Sequence, residues 1–151
     1  MKFRKATTKD VPSIVKMIAD DNLGKLRENY QYPLSETYYK AFENINKDLN
    51  QELIVVDNDK EEIIGTLQLS YLQYLTYQGG IRAQIEAVSI TREFRGKGIG
   101  KLMFQWAIER AKYKNAHVLQ LTTDKSRPDV ILFYEKLGFK ASHEGMKLHF
   151  G

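Results

Sequence analysis

The run Arg95-Gly96-Lys97-Gly98-Ile99-Gly100 lies where one hydrophobic period gives way to another, and no other segment constrains the chain as strongly. Before it, Ala83 to Ile90 reads as a strand, with Ile85, Ala87, Val88 and Ile90 apolar. After it, Ile99, Leu102, Met103, Trp106, Ala107 and Ala111 recur at helical spacing. Glycines let a backbone take positive φ and approach a ligand closely. The first N–H groups of a helix have no intrahelical partner, and the helix dipole favours an anion there. A strand, a glycine turn and a helix in this order therefore predict a phosphate cradle.

A glycine turn on its own is often only a tight connection. This one is basic, with Arg95, Lys97 and Lys101 in or beside it. It matches neither common phosphate loop. The gap before a Gly-Lys-Ser/Thr of the P-loop kind is absent, and Lys101 stands where the third glycine of G-x-G-x-x-G belongs.

The charge distribution supports an anionic ligand. The net charge is +4. Seven basic residues (Arg92, Arg95, Lys97, Lys101, Arg110, Lys112, Lys114) face only Glu93 and Glu109 in the stretch 92–114, so the excess sits on the loop and its helix. Part of it is also what a solvated helix face carries. The absence of cysteine removes disulfides, thiolate metal sites and a cysteine nucleophile. His117, His143 and His149 show no metal-ligand spacing, so no metal is expected. No apolar run is long enough for a bilayer, and Met1-Lys2-Phe3-Arg4-Lys5 does not open a signal peptide. The expectation is a cytoplasmic protein of one domain, residues 1–151, with no membrane partner.

Along the chain, residues 2–7 read as a strand and Thr8 or Asp10 as the cap of a helix from Val11-Pro12. A second helix starts near Ser35. Leu53 to Asp57 and Ile63 to Leu75 form a hairpin around Asn58-Asp59-Lys60, and Gln78-Gly79-Gly80 turns into Ile81 to Thr91. Val118 to Thr123 is a strand. Ser126 to Asp129 has the S-x-x-D form of a helix start, Gly138 suits the C′ position of the helix 130–137, and 139–150 holds one or two final strands.

This order and these motifs resemble the GNAT superfamily of acetyl-CoA-dependent N-acetyltransferases. Phe3 to Thr7 with Asp10 is similar to its first strand and helix cap. Glu86 to Ile90 followed by Arg95 to Gly100 is similar to its fourth strand and R/Q-x-x-G-x-G/A loop. Leu119 to Thr122 resembles its fifth strand, and Phe133-Tyr134-Glu135-Lys136-Leu137-Gly138-Phe139 resembles its F/L-Y-x-x-x-G-F segment. The likeness spans the chain and implies an α/β fold: one mixed central sheet of about six or seven strands flanked by about four helices.

The resemblance also implies site residues. Arg95, Gly96, Lys97, Gly98, Ile99 and Gly100, with Lys101 close by, would bind the CoA pyrophosphate. Val88 and Ile90 would pair through their main chain with the pantetheine arm, and a β-bulge in that strand would turn an N–H toward the thioester carbonyl. Tyr134 would be the general acid for the departing thiolate. Arg127 stands where many relatives have asparagine, and would meet either a phosphate or the acceptor.

Amine attack on a thioester needs a neutral amine, whereas a free alkylammonium has a pKa of about 10. Glu86 is the candidate base or the anchor for the acceptor's positive charge. A glutamate in a mostly apolar strand is otherwise paired, and Arg82 or Lys140 would serve. Gln84 should face the same side. Tyr71, Tyr74 and Tyr77 read as hairpin surface or a dimer contact. With no cysteine and no G-x-S-x-G elbow, direct transfer in a ternary complex is expected. The acceptor would be a primary amine on a small molecule. A peptide or protein amine, or a module that binds acyl-CoA without turnover, are the alternatives. A homodimer is the default of the family. Nucleic acid is not expected, because no stacking aromatics interleave with the basic residues.

Overall fold

A five-stranded sheet in the order β1-β2-β3-β4-β5 organises the first 120 residues. The computed structural model describes residues 1–151, which gather into two compact units, 1–120 and 121–151. In the first unit β1 (Lys2–Lys5), β2 (Gln51–Asp57), β3 (Ile63–Gln73) and β4 (Ile81–Ile90) run antiparallel to their neighbours, and β5 (Ala116–Gln120) runs parallel to β4. The helices are α1 (Val11–Ala19), α2 (Glu36–Lys47), the four-residue α3 (Thr76–Gly79) and α4 (Ile99–Tyr113). The mixed α/β architecture thus follows the sequence reading, with one strand fewer than the lower expectation and one more helical element.

Alternation on β2, β3 and β4 gives the sheet two different faces. Ile54, Leu67, Leu69, Ala83 and Ile85 are buried on the face that α4 covers. A Cβ at Gly65 would lie 2.9 Å from Met103 Sδ, so the methionine side chain packs directly against the glycine backbone and would have to move for any larger residue. Phe3 stacks on Trp106 with ring centroids 4.9 Å apart. On the other face, Val11, Ile14, Val15 and Met17 of α1 join Phe42 of α2 and Val55 in one buried cluster.

Two charged networks tie the unit together. Arg4 on β1 bonds both Asp10 (2.7 Å) and Asp57 (2.7 Å), each of them buried. At the other end of the sheet, buried Glu52 receives the Arg110 guanidinium (Nη2 to Oε2, 2.6 Å) and the Tyr71 hydroxyl (2.5 Å). Tyr71 is therefore not hairpin surface. Its side chain crosses the α4 face to reach a carboxylate, and only 8% of the residue is exposed.

Local capping departs from the sequence reading in two places. Asp10 holds the N-cap of α1, one of the two residues expected there, but Thr7 rather than Thr8 caps the short turn ahead of it, its N–H donating to Asp10 Oδ2 at 2.7 Å. Ser126 does not cap the last helix, α5 (Pro128–Lys136). Arg127 holds that position, and the Ser126 N–H donates to Asp124 Oδ1 at 2.8 Å in a turn ahead of it. Helix α2 starts near Ser35 as expected, and Ser35 caps it, its Oγ accepting from Thr37 N–H. In the second unit Gly138 closes α5 at φ 99°, with Gly138 N–H on Glu135 O and Phe139 N–H on Tyr134 O.

The expected final strands over 139–150 are not formed. Met146, Leu148 and Phe150 alternate as a strand would, yet they are 94%, 81% and 94% exposed. Residues 121–151 contain one helix and no strand, so the unit itself offers this alternation no ladder to pair with.

Candidate active site

The loop after β4 keeps its helix terminus open. Gly98 caps α4 at φ 81° and ψ 6°, no side chain caps that end, and the first turn holds no acidic residue. Gly96 is also left-handed, at φ 75°. A Cβ at either glycine would meet nothing within 4 Å, so the backbone leaves a cleared space over the first N–H groups of α4. A phosphate group fits such a cradle. Arg95 is held at its rim, its Nε donating to Ile90 O at 3.0 Å. Lys97 Nζ lies 5.2 Å from the Phe94 ring centroid, and Lys101 is exposed on the first turn.

A carboxylate that the sequence did not reveal stands beside this loop. Asp20, at the C-terminus of α1, accepts from Arg92 (Nη2 to Oδ1, 2.5 Å) and lies 3.5 Å from Arg95 Nη2. A carboxylate at a helix C-terminus opposes the helix dipole, so the two arginines are what make it tolerable there. A cavity of about 610 Å³ opens between this end of α1 and the end of β4, lined by Ser13, Lys16, Asp20, Ile63, Thr91 and Arg92 among others.

Strand β4 carries the bulge. Thr66 faces Ser89 and Gln68 faces Glu86, so one residue of β3 opposes two of β4, and Ala87 takes φ 53°. A bulge leaves a peptide group outside the ladder and re-aims the side chains around it. Beyond Gln84 the β5 side of the strand is also unpaired by β5, because the parallel ladder runs only from Ile81↔Ala116 to Gln84↔Gln120 while β4 continues to Ile90. The main chain of Val88 and Ile90 lies in that stretch.

Glu86 stands at the bulge and is exposed. Within its own unit its partner is not Arg82. Gln84 Nε2 donates to its Oε1 at 2.7 Å, and Gln120 Nε2 donates to Gln84 Oε1 at 3.1 Å. Arg82 instead leans over the rings of Tyr74 (4.7 Å) and Tyr77 (5.7 Å). Gln84 shares the face of Glu86, as alternation predicts. Gln68, Gln51 and Gln120 had no local signature, because only strand register brings them onto that face.

In the second unit Tyr134 lies half-buried on α5, with edge-to-face contacts to Phe133 (5.5 Å) and Phe139 (5.9 Å). Burial pushes its phenol above the usual tyrosine value, and the Arg127 guanidinium pulls in the other direction. A phenol shifted this way stays protonated at neutral pH and is able to donate. Arg127 lies near enough to Tyr134 to act on it electrostatically, a relation its sequence position did not settle. His143 lies outside any hairpin, its Nδ1 2.7 Å from Ser142 Oγ.

Comparison with known proteins identifies the family and the fold. The Acetyltransferase (GNAT) family model matches residues 20–139. Among curated proteins, the aminoalkylphosphonate N-acetyltransferase of Salmonella typhimurium is 26% identical over 147 residues, covering 93% of this chain and 86% of the relative. Among solved structures, one described as a transcriptional regulator from Bacillus halodurans is 55% identical, with TM-score 0.94 over 99% of both chains. A predicted acetyltransferase from Clostridium acetobutylicum, solved with acetyl-CoA, is 22% identical, with TM-score 0.74 over 98% of this chain and 95% of that one, and shares the fold.

Proposed function

This chain belongs to the GNAT family of acetyltransferases, and from that premise we propose that it transfers an acetyl group from acetyl-CoA to a primary amine on a small molecule, by direct transfer in a ternary complex. The observation that carries the reading is the sequence of features along one segment: a bulge at Ala87, a strand edge unpaired by β5, and an uncapped helix N-terminus behind two left-handed glycines. Acetyl-CoA supplies the acetyl group as a thioester.

The chain's own residues have distinct tasks in this proposal. The N–H groups from Gly96 to Lys101 take the pyrophosphate, with Arg95 and Lys97 adding charge. The main chain of Val88 and Ile90 holds the extended arm. The bulge N–H meets the negative charge that grows on the carbonyl oxygen. Glu86 takes the proton of the incoming ammonium or fixes its charge, and Tyr134 gives a proton to the leaving sulfur. Arg127, by its positive charge, eases that release. The two units act in this scheme as one N-acetyltransferase domain over 1–151, in the cytoplasm, as a homodimer. No helix is long and apolar enough to cross a membrane.

Thiol release from acetyl-CoA, measured with and without a panel of amines beside thermal shift with acetyl-CoA, tests the reading. Amine-dependent release with a stabilising shift supports it, and absence of any shift at millimolar acetyl-CoA removes its foundation. The Bacillus halodurans neighbour described as a transcriptional regulator favours a second reading, a module that senses acyl-CoA without turnover. A shift with no release on any small amine or peptide N-terminus would select it.

A further inference from the structure

We propose that the acceptor is a hydroxylated primary amine of the amino-sugar kind, carrying one positive charge and no phosphate or phosphonate. This rests on the acetyl-transfer reading above and deepens it. The inference comes from the sheet face around Glu86. Strand register brings five polar side chains of four different strands onto it. Gln68 is the cross-strand partner of Glu86, Ser70 is the partner of Gln84 and of Gln51, and Gln120 is the parallel partner of Gln84. On the opposite face of the same strands Ile54, Leu67, Leu69, Ala83 and Ile85 are buried beside the Glu52–Tyr71 pair.

The amides are oriented, not scattered. One row runs Gln120 to Gln84 to Glu86, each Nε2 donating toward the carboxylate. A second runs from Gln68 Nε2 to Gln51 Oε1 (2.6 Å) and from Gln51 Nε2 to Asp48 Oδ2 (3.0 Å). Each amide has two N–H donors and a carbonyl oxygen with two lone pairs, so donors and acceptors remain after these bonds. All four glutamines are partly exposed. On the strands themselves the strip presents one carboxylate, Glu86, for an ammonium, flanked by neutral groups able both to give and to accept, while Asp48 closes the second row beyond the start of β2. Hydroxyl groups, which also do both, are the complement of that surface.

An anionic acceptor has no counterpart among the strands here. β2 and β3 contain no basic residue. β4 has only Arg82, two residues further from the bulge than Gln84 and engaged over Tyr74 and Tyr77. The imidazole of His117 on β5 stacks on Tyr77, centroids 4.7 Å apart. A polyamine is disfavoured for the converse reason: Glu86 is the one carboxylate on the strands of this strip, and Asp48, at the end of the second row, is already held by Asn50 N–H and Gln51 Nε2. The Salmonella typhimurium relative, named for an aminoalkylphosphonate, differs in this from the acceptor proposed.

The test is steady-state thiol release by the full chain with acetyl-CoA and four probes: glucosamine, glucosamine 6-phosphate, 2-aminoethylphosphonate and spermidine. Glucosamine should exceed each of the others in kcat/KM by at least about tenfold, the scale of discrimination that paired hydrogen bonds allow. Gln84→Leu and Gln120→Leu should each lower the ratio of kcat/KM for glucosamine over propylamine by about five- to tenfold, while acetyl-CoA affinity stays unchanged. A row that only braces the sheet would lower the melting temperature and leave that ratio alone. Faster turnover of either anionic probe or of spermidine overturns the proposal, as does an unmoved ratio in both variants. Acetyl-CoA binding without release for any amine overturns the acetyl-transfer reading itself, a result separate from a wrong order of acceptors.

Discussion

Replacing Arg110 by methionine should be among the most damaging single changes in the first unit. Arg110 donates to Glu52 through Nε (3.0 and 3.2 Å) and Nη2 (2.6 Å), and the Glu52 side chain is only 5% exposed. The methionine keeps much of the packing on α4 but leaves a buried carboxylate with the Tyr71 hydroxyl as its main partner. Breaking one side of a buried pair costs about 3–5 kcal/mol. For a chain of this size that is a fall in melting temperature of roughly 6–20 °C. The pH dependence gives a sharper signature. In the native protein, burial raises the pKa of Glu52, but the Arg110 and Tyr71 hydrogen bonds outweigh it and hold the group below its ordinary value. A depressed folded pKa means stability that is complete above the unfolded pKa, about 4.3, and is lost as pH falls through the folded one. Without Arg110, burial prevails, the folded pKa rises, and protonation then helps the fold. The gap between wild type and Arg110→Met should therefore be widest at pH 7 and narrow toward pH 4. Urea denaturation at both pH values reads it, and Glu52→Leu with Arg110→Met should recover most of the loss. A cost below about 1 kcal/mol at pH 7, or a gap independent of pH, would refute the reasoning.

Three predictions concern the site. Gly98→Ala has room for its Cβ but forces alanine to φ 81°, so it should cost about 1–2 kcal/mol in urea unfolding, and it should weaken acetyl-CoA binding by at least tenfold in titration calorimetry because the methyl enters the cradle. Tyr134→Phe should lower kcat at least tenfold, within the usual range for a lost general acid, with acetyl-CoA affinity little changed; an unaltered kcat would take Tyr134 out of the mechanism. Glu86→Gln should flatten the acidic limb of the kcat/KM profile against pH if the carboxylate is the base, and should raise acceptor KM with an unaltered profile if it only anchors the ammonium.

What the sequence disclosed was governed by neighbours along the chain. The turn at Gly96 and Gly98, the amphipathic helix behind it and the stop at Gly138 depend on backbone freedom and short-range period, and all three stand in the structure. Tyr71 misled because nothing near it in sequence announces Glu52, 19 residues away, or Arg110 beyond that. Asp20 and Arg92 are separated by 72 residues and meet only because α1 ends beside the end of β4. The glutamines around Glu86 read as ordinary polar positions until register sets them side by side. The alternation of Met146, Leu148 and Phe150 was legible as a strand pattern, but alternation gives one face of a strand and says nothing about what it will pair with.

The unpaired edge of β4 divides the site by how easily mutation can rewrite it. From Ile85 to Ile90 that edge offers peptide groups, and every residue except proline supplies the same N–H and C=O. Codons there can drift with little effect on what the edge presents to a ligand. Glutamine 84 and glutamine 120 present side chains, and a single base change converts either into glutamate, lysine or leucine with a different preference for what docks beside them. Under the proposed transfer, a chain built this way inherits its donor grip from the fold and leaves its choice of acceptor open to selection.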